Sequence, residues 1–128
     1  SGSPIILKNI RKGTIVETNR KAVENLKHIG IKAYALLMCG NKGETTKTIQ
    51  ETVDFLLSTK PDLHSEVGKT WCYPGTDYAD EMSIDENFWI HGTDGLPTYY
   101  DNFSDADLAT WKKMIGDVPK YCLKEQTQ

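Results

Sequence analysis

The residues best placed for chemistry form one glycine-rich loop, residues 40–45, which reads Gly-Asn-Lys-Gly-Glu-Thr and follows an apolar run. Glycines at a strand-to-helix turn let the backbone approach a ligand, and the helix start offers free N–H groups and a positive dipole end. The loop is not a phosphate-binding P-loop, because that motif has Lys and Ser/Thr directly after its second glycine. Glu44 is also unfavourable beside an anion. A tight connection whose glycines serve only the turn is the alternative interpretation.

A second turn, Tyr73-Pro74-Gly75-Thr76, ends the next extended segment of the chain. Taken alone, this sequence indicates only a turn. Because the carboxyl ends of neighbouring parallel strands meet at one edge of a sheet, we expect it to lie beside loop 40–45.

The cysteines and histidines do not predict a metal site within this chain. Cys39, Cys72 and Cys122 form no CxxC pair, and the three histidines share no ligand spacing. An odd number of cysteines fits reduced thiols in a cytoplasmic protein better than a disulfide framework.

Loop 40–45 must be positioned by the stretch from Ile31 to Thr46. Its apolar run, residues 33–39, predicts a buried parallel strand that passes into a helix. Before it, Thr14 and Glu17 form a capping box for an amphipathic helix over residues 15–29. After it come a covering helix over residues 48–58 and an extended segment over 63–73. Short helices are predicted at 4–11, with Ser3 as the cap, and at 77–82. This order predicts an α/β fold of parallel strands with covering helices.

The C-terminal part, residues 83–128, is predicted to be an extension of different character. Its first half is irregular and rich in aromatic residues such as Phe88 and Trp89, which indicates a packed connection. Ser104 then opens a C-terminal helix by the same capping logic. Four apolar residues form the predicted buried stripe of that helix: Leu108, Trp111, Met114 and Ile115.

Composition limits the partners that this chain can have. Its 128 residues correspond to one domain or part of one, and its net charge of −3 gives no basis for nucleic-acid binding. No apolar run reaches the roughly 18–20 residues that a membrane helix needs, so we expect no membrane partner and a cytoplasmic location.

Several short motifs together resemble the C-terminal half of the radical S-adenosylmethionine enzyme core. In that family the segments run ESGS, KG, GI, GxPGET, ET and YPGT, in this order and at similar distances. The matching segments here are Ser1-Gly2-Ser3-Pro4, Lys12-Gly13, Gly30-Ile31, residues 40–45, Glu51-Thr52 and Tyr73-Pro74-Gly75-Thr76. The resemblance covers residues 1–82. Residues 83–128 are similar to the extension of cobalamin-associated members, such as anaerobic Mg-protoporphyrin monomethyl ester cyclase-like proteins, which makes cobalamin a further candidate cofactor.

The resemblance implies a fragment of a partial (βα)6 TIM-like barrel that binds S-adenosylmethionine across the carboxyl ends of its strands. Lys42 stands where the family usually has Pro. The cofactor-binding residues that the resemblance implies are Ser1, Gly2 and Ser3 near the ribose and amino-acid end, Met38, Cys39, Gly40 and Gly43 beside the adenine, and Tyr73, Pro74 and Gly75 completing the adenine pocket.

One family feature is absent from this sequence, the CxxxCxxC loop whose thiolates hold the 4Fe–4S cluster. The resemblance therefore implies that the cluster ligands lie elsewhere in a parent oxidoreductase or transferase, and that this chain is inactive alone. The substrate, an unidentified small molecule, and the catalytic residues are not implied. We expect the rest of the barrel as a partner. We also expect self-association of the isolated chain, because an unpaired apolar strand is an association hazard. The alternative is a stand-alone α/β module that binds a nucleotide or nucleoside, or a partner protein.

Overall fold

The computed structural model describes residues 1–84 and 95–121. Five helices lie in these ranges: α1 (Pro4–Asn9), α2 (Val16–His28), α3 (Thr46–Thr59), α4 (Asp77–Glu81) and α5 (Asp105–Gly116). Four short strands accompany them: β1 (Tyr34–Ala35), β2 (Met38–Cys39), β3 (Leu63–His64) and β4 (Gly68–Lys69). Phe88, Trp89, His91 and Cys122 lie outside the described residues.

The predicted parallel strands are present, each in two pieces. Strands β1 and β2 make up the central strand, residues 33–39, and β3 and β4 belong to the second strand, residues 63–72. β1 pairs in parallel with β3, and β2 with β4. Ser65 N donates to Ala35 O at 2.9 Å and Gly68 N to Leu37 O at 3.2 Å. Between these two hydrogen bonds the second strand advances by three residues, from 65 to 68, and the central strand by two, from 35 to 37. The second strand therefore contains a bulge.

Only one face of the central strand is buried, so the prediction of a strand covered on both faces is wrong. Ala33 and Cys39 are buried, and Cys39 packs into the main core with α3 and α5. The alternate side chains of Tyr34, Leu36 and Met38 are 59%, 77% and 46% exposed. Alternation with period two places these three on the opposite face.

The helices over residues 46–59 and 105–116 confirm the predicted elements, and each begins with a capping box, at Thr45 and at Ser104. The predicted capping box at Thr14 is wrong. α2 starts one residue later, with Ile15 at its N-cap and no side-chain cap. Ser3 occupies the N-cap of α1, but its hydroxyl makes no capping hydrogen bond.

The C-terminal part packs on the same core as the strands. Residues 97–103, here called the strap, run antiparallel to the second strand: Cys72 N donates to Pro97 O at 2.8 Å, and Tyr99 N to Thr70 O at 2.9 Å. Trp111 and Ile115 of α5 are buried with Cys39 and Leu56. The strap therefore covers part of one edge of the second strand.

The edge of the central strand that faces away from the second strand is open among the described residues. Each strand pair has two members, so the central strand has one neighbour. The described residues form a mixed α/β fold with parallel strand pairs and covering helices, and they do not close into a barrel.

Candidate functional site

The glycines of loop 40–45 are required by the packing of the protein itself. Gly40 has φ +85°, and a Cβ there would lie 2.7 Å from Leu108 Cδ2. Gly43 has φ +81°, and a Cβ there would lie 2.6 Å from Asn9 Nδ2. Both positions combine a left-handed backbone with a close neighbour, so only glycine fits without strain or displacement. This geometry supports the view that the glycines serve the turn.

The backbone groups of the loop are also engaged by side chains of the protein. Lys42 N donates to the Tyr78 hydroxyl at 3.1 Å, and Gly43 N donates to Asp101 Oδ2 at 2.9 Å. Asn9 Nδ2 donates to Lys42 O at 2.7 Å. Two amides of the loop that could face a ligand therefore already have acceptors.

Beneath the loop lies a buried polar cluster centred on Glu44, which is only 4% exposed. Its carboxylate accepts a hydrogen bond from Thr48 Oγ1 at 2.7 Å and a longer one, 3.4 Å, from Asn41 N. Burial raises the pKa of Glu44, and the hydrogen bond from Thr48 opposes that shift. Asn41 is buried as well, and its Oδ1 accepts from Thr70 Oγ1.

Sequence reasoning missed this role of Glu44, for which the sequence predicts only an unfavourable effect on anion binding. The available signal was Thr48, because a polar residue directly before the N-cap of a helix lies close to a side chain in the first turn of that helix. The Glu44 carboxylate, just before the N-terminus of α3, can therefore accept a hydrogen bond from the Thr48 hydroxyl.

The Ser1-Gly2-Ser3 turn packs against α3. Gly2 N donates to Thr52 Oγ1 at 2.9 Å, and a Cβ on Gly2 would lie 2.5 Å from Phe55 Cβ. Ser3 is completely buried, and its Oγ has no hydrogen-bond partner. The turn is therefore fixed against α3, and the Ser3 hydroxyl is buried in it without a hydrogen-bond partner.

A cavity of about 410 Å³ joins the start of the chain to the open edge of the central strand. Ser1, Met38 and Asn41 line it together with apolar side chains of α1, α2 and α3, among them Leu7, Val23 and Phe55. Ligand sites commonly have volumes of about 300–1,000 Å³ and apolar walls with a few polar groups. This cavity is the best candidate site that the described residues contain.

The residues implied by the family resemblance fall into four groups in the structure. Ser1 and Met38 line the cavity, with Gly2 and Ser3 next to Ser1 in the turn. Cys39 points into the core, and burial raises the pKa of its thiol to about 11, so it is a packed thiol and not a thiolate. Gly40 and Gly43 contact protein atoms.

The Tyr73-Pro74-Gly75 turn does not line the cavity. All three residues are exposed, and Gly75 adopts φ +78° with nothing within 4 Å of a built Cβ. The following residues lead to a smaller pocket of about 240 Å³, which Thr76, Tyr78 and Lys42 share. The second turn thus lies near loop 40–45, as expected, but on the other side of it.

Among the described residues, no three Asp, Glu, His or Cys side chains come together in a way that could hold a metal ion. Within the same ranges, every helix is too short or too polar to cross a membrane. Comparison of the chain with protein-family models, with curated proteins and with solved structures found no match.

Proposed function

We propose that this chain is the C-terminal half of a radical S-adenosylmethionine enzyme core and supplies one wall of the S-adenosylmethionine pocket. The ordered motif set suggests the family. The observation that carries the proposal is the 410 Å³ cavity, because it joins the Ser1-Gly2-Ser3 turn to Met38 at the carboxyl end of a parallel strand. In parallel α/β folds this is the end where ligands bind.

The incomplete burial of the chain supports the proposal that it is part of a larger barrel. The central strand exposes Tyr34, Leu36 and Met38 on one face, and no residue of α2 is buried. Exposed apolar surface of this kind marks a contact with another part of a protein. The strap pairs only with residues 70–72 of the second strand, so it leaves the free edge of the central strand open to further strands.

The cavity residues fit an adenosine-type ligand better than a metal cluster. Met38 and Phe55 offer soft and aromatic surface to a base, while Ser1 and Asn41 offer hydrogen bonds near the turn. In the family, the 4Fe–4S cluster supplies the electron that cleaves S-adenosylmethionine. The part of this chain that is described has no ligand set for it, so the role proposed here is to bind and orient the cofactor.

The test is S-adenosylmethionine binding by the intact parent protein with one lysine introduced. Met38→Lys puts a charged ammonium at the cavity wall and is expected to weaken binding at least about tenfold, because an unpaired charge must be desolvated there. Leu57→Lys is the matched control, since Leu57 is similarly exposed, at 43%, on α3 and does not line the cavity. Equal affinities of the two variants would argue against this site.

A stand-alone nucleoside-binding module is the second candidate, because the cavity is formed by this chain without any partner. The two candidates differ in what precedes Ser1 in the gene. A CxxxCxxC motif upstream favours the radical enzyme. Its absence, together with adenosine binding measured by calorimetry on the isolated chain, favours the binding module.

A further inference from the structure

The strap contacts the one loop that the proposed cofactor pocket depends on. Asp101 Oδ2 accepts the hydrogen bond of Gly43 N, at 2.9 Å. Among the hydrogen bonds of the described residues, this is the one that joins the strap to the backbone of loop 40–45. Asp101 is exposed, so its carboxylate is free to leave this position at little cost unless something holds the strap in place.

Tyr99 provides that second attachment. Its ring stacks on Tyr78 with centroids 3.9 Å apart, and its hydroxyl donates to Glu81 at 2.7 Å. Glu81 in turn forms an ion pair with Lys42 Nζ, also at 2.7 Å. The Tyr78 hydroxyl accepts from Lys42 N. Strap and loop are therefore joined through both the backbone and the side chain of Lys42.

We infer that Asp101 is a positioning residue. It fixes loop 40–45 and, with the loop, the adjoining wall of the 410 Å³ cavity. Without Asp101, the amide of Gly43, a glycine in a left-handed conformation beside the exposed Lys42, would have no acceptor, which leaves this part of the turn freer to move. The family's usual Pro is replaced by Lys42, so the loop lacks the restraint that a proline ring gives. The Asp101 contact restores that restraint from outside the loop.

The purpose of this restraint rests on the proposed function, since a fixed loop matters only if a ligand uses it. Asn41 links the two regions because it belongs to the loop and lines the cavity. If the loop is correctly placed for only part of the time, the apparent dissociation constant rises by the inverse of that fraction.

Amide exchange in the 15N-labelled chain tests the inference directly. Asp101→Asn keeps the size of the side chain and removes its charge, and the Gly43 amide is expected to exchange about fivefold faster.

Asp117→Asn is the matched control, because Asp117 is an exposed carboxylate whose ion pair with Lys113 is remote from the loop in sequence. Tyr99→Phe is an independent perturbation that removes only the hydroxyl bond to Glu81 and should also speed exchange at Gly43. The inference is overturned if Asp101→Asn leaves exchange at Gly43 unchanged. It is equally overturned if exchange accelerates to the same extent throughout the core, since that would mean general destabilisation.

A titration with S-adenosylmethionine separates this inference from the proposed function. If the unmodified parent protein binds it, Asp101→Asn in that protein should raise the dissociation constant about fivefold while Asp117→Asn leaves it unchanged. If the unmodified parent protein shows no binding, the proposed function loses support, and the exchange data alone decide whether Asp101 positions the loop.

Discussion

Replacing Gly40 with alanine is the sharpest test of how this chain holds its candidate loop. The new Cβ would lie 2.7 Å from Leu108 Cδ2, a side chain that is 1% exposed and cannot swing into solvent. Overpacking of this kind costs about 1–3 kcal/mol. The left-handed backbone at φ +85° adds about 1–2 kcal/mol for a residue with a Cβ. We therefore expect Gly40→Ala to lower the free energy of unfolding by about 2–5 kcal/mol.

Gly75→Ala separates these two contributions. Gly75 has nearly the same φ, +78°, but nothing lies within 4 Å of its built Cβ. Gly75→Ala should therefore lower the free energy of unfolding only by the backbone contribution, about 1–2 kcal/mol. Gly68 has no positive φ and open space around a built Cβ, so Gly68→Ala should change the free energy of unfolding little. Urea unfolding measures the free energy of unfolding of the three variants, and the comparison is valid if its slope against urea concentration is the same in each. Equal losses at Gly40 and Gly75 would refute the packing of Leu108 against loop 40–45.

Two further predictions concern charge and capping. Burial raises the pKa of Glu44 above its ordinary 4.5, so the stability that its protonated form contributes is fully present below pH 4.5 and lost as pH rises through the folded-state pKa. Glu44→Gln should remove this loss, seen as a flatter dependence of Tm on pH, and an unchanged pH profile would contradict the burial of the carboxyl. Ser104→Ala should cost about 1 kcal/mol because it removes a helix cap. Thr14→Ala should cost almost nothing in the same urea experiment, since that hydroxyl has no partner, and equal losses would restore the predicted capping box.

Local signals predicted the elements well. The parallel strands followed from one apolar run and its glycine boundaries, and Ser104 caps a helix of the expected period. These features depend on residues close together in sequence, which is why a single sequence reveals them.

The features that sequence reasoning missed depend on distant contacts. The bulge near Ser65 shifts the register of the second strand, and the strap pairs with residues 25 to 29 positions earlier, as in the bonds between residues 97 and 72 and between residues 99 and 70. Neither follows from periodicity. The capping box at Thr14 fails for a local reason, because Ile15 takes the N-cap position and α2 begins one residue later.

That this chain is one half of a larger parallel barrel is the claim on which the proposed function rests. The carbonyls of Ala33, Ala35, Leu37 and Cys39 all accept from the second strand. Since backbone groups alternate along a strand, those of Tyr34, Leu36 and Met38 face the open edge. Amide hydrogen exchange at these three residues should be fast in the dilute isolated chain and strongly slowed in the intact parent protein. Equal exchange rates in the two proteins would contradict the claim.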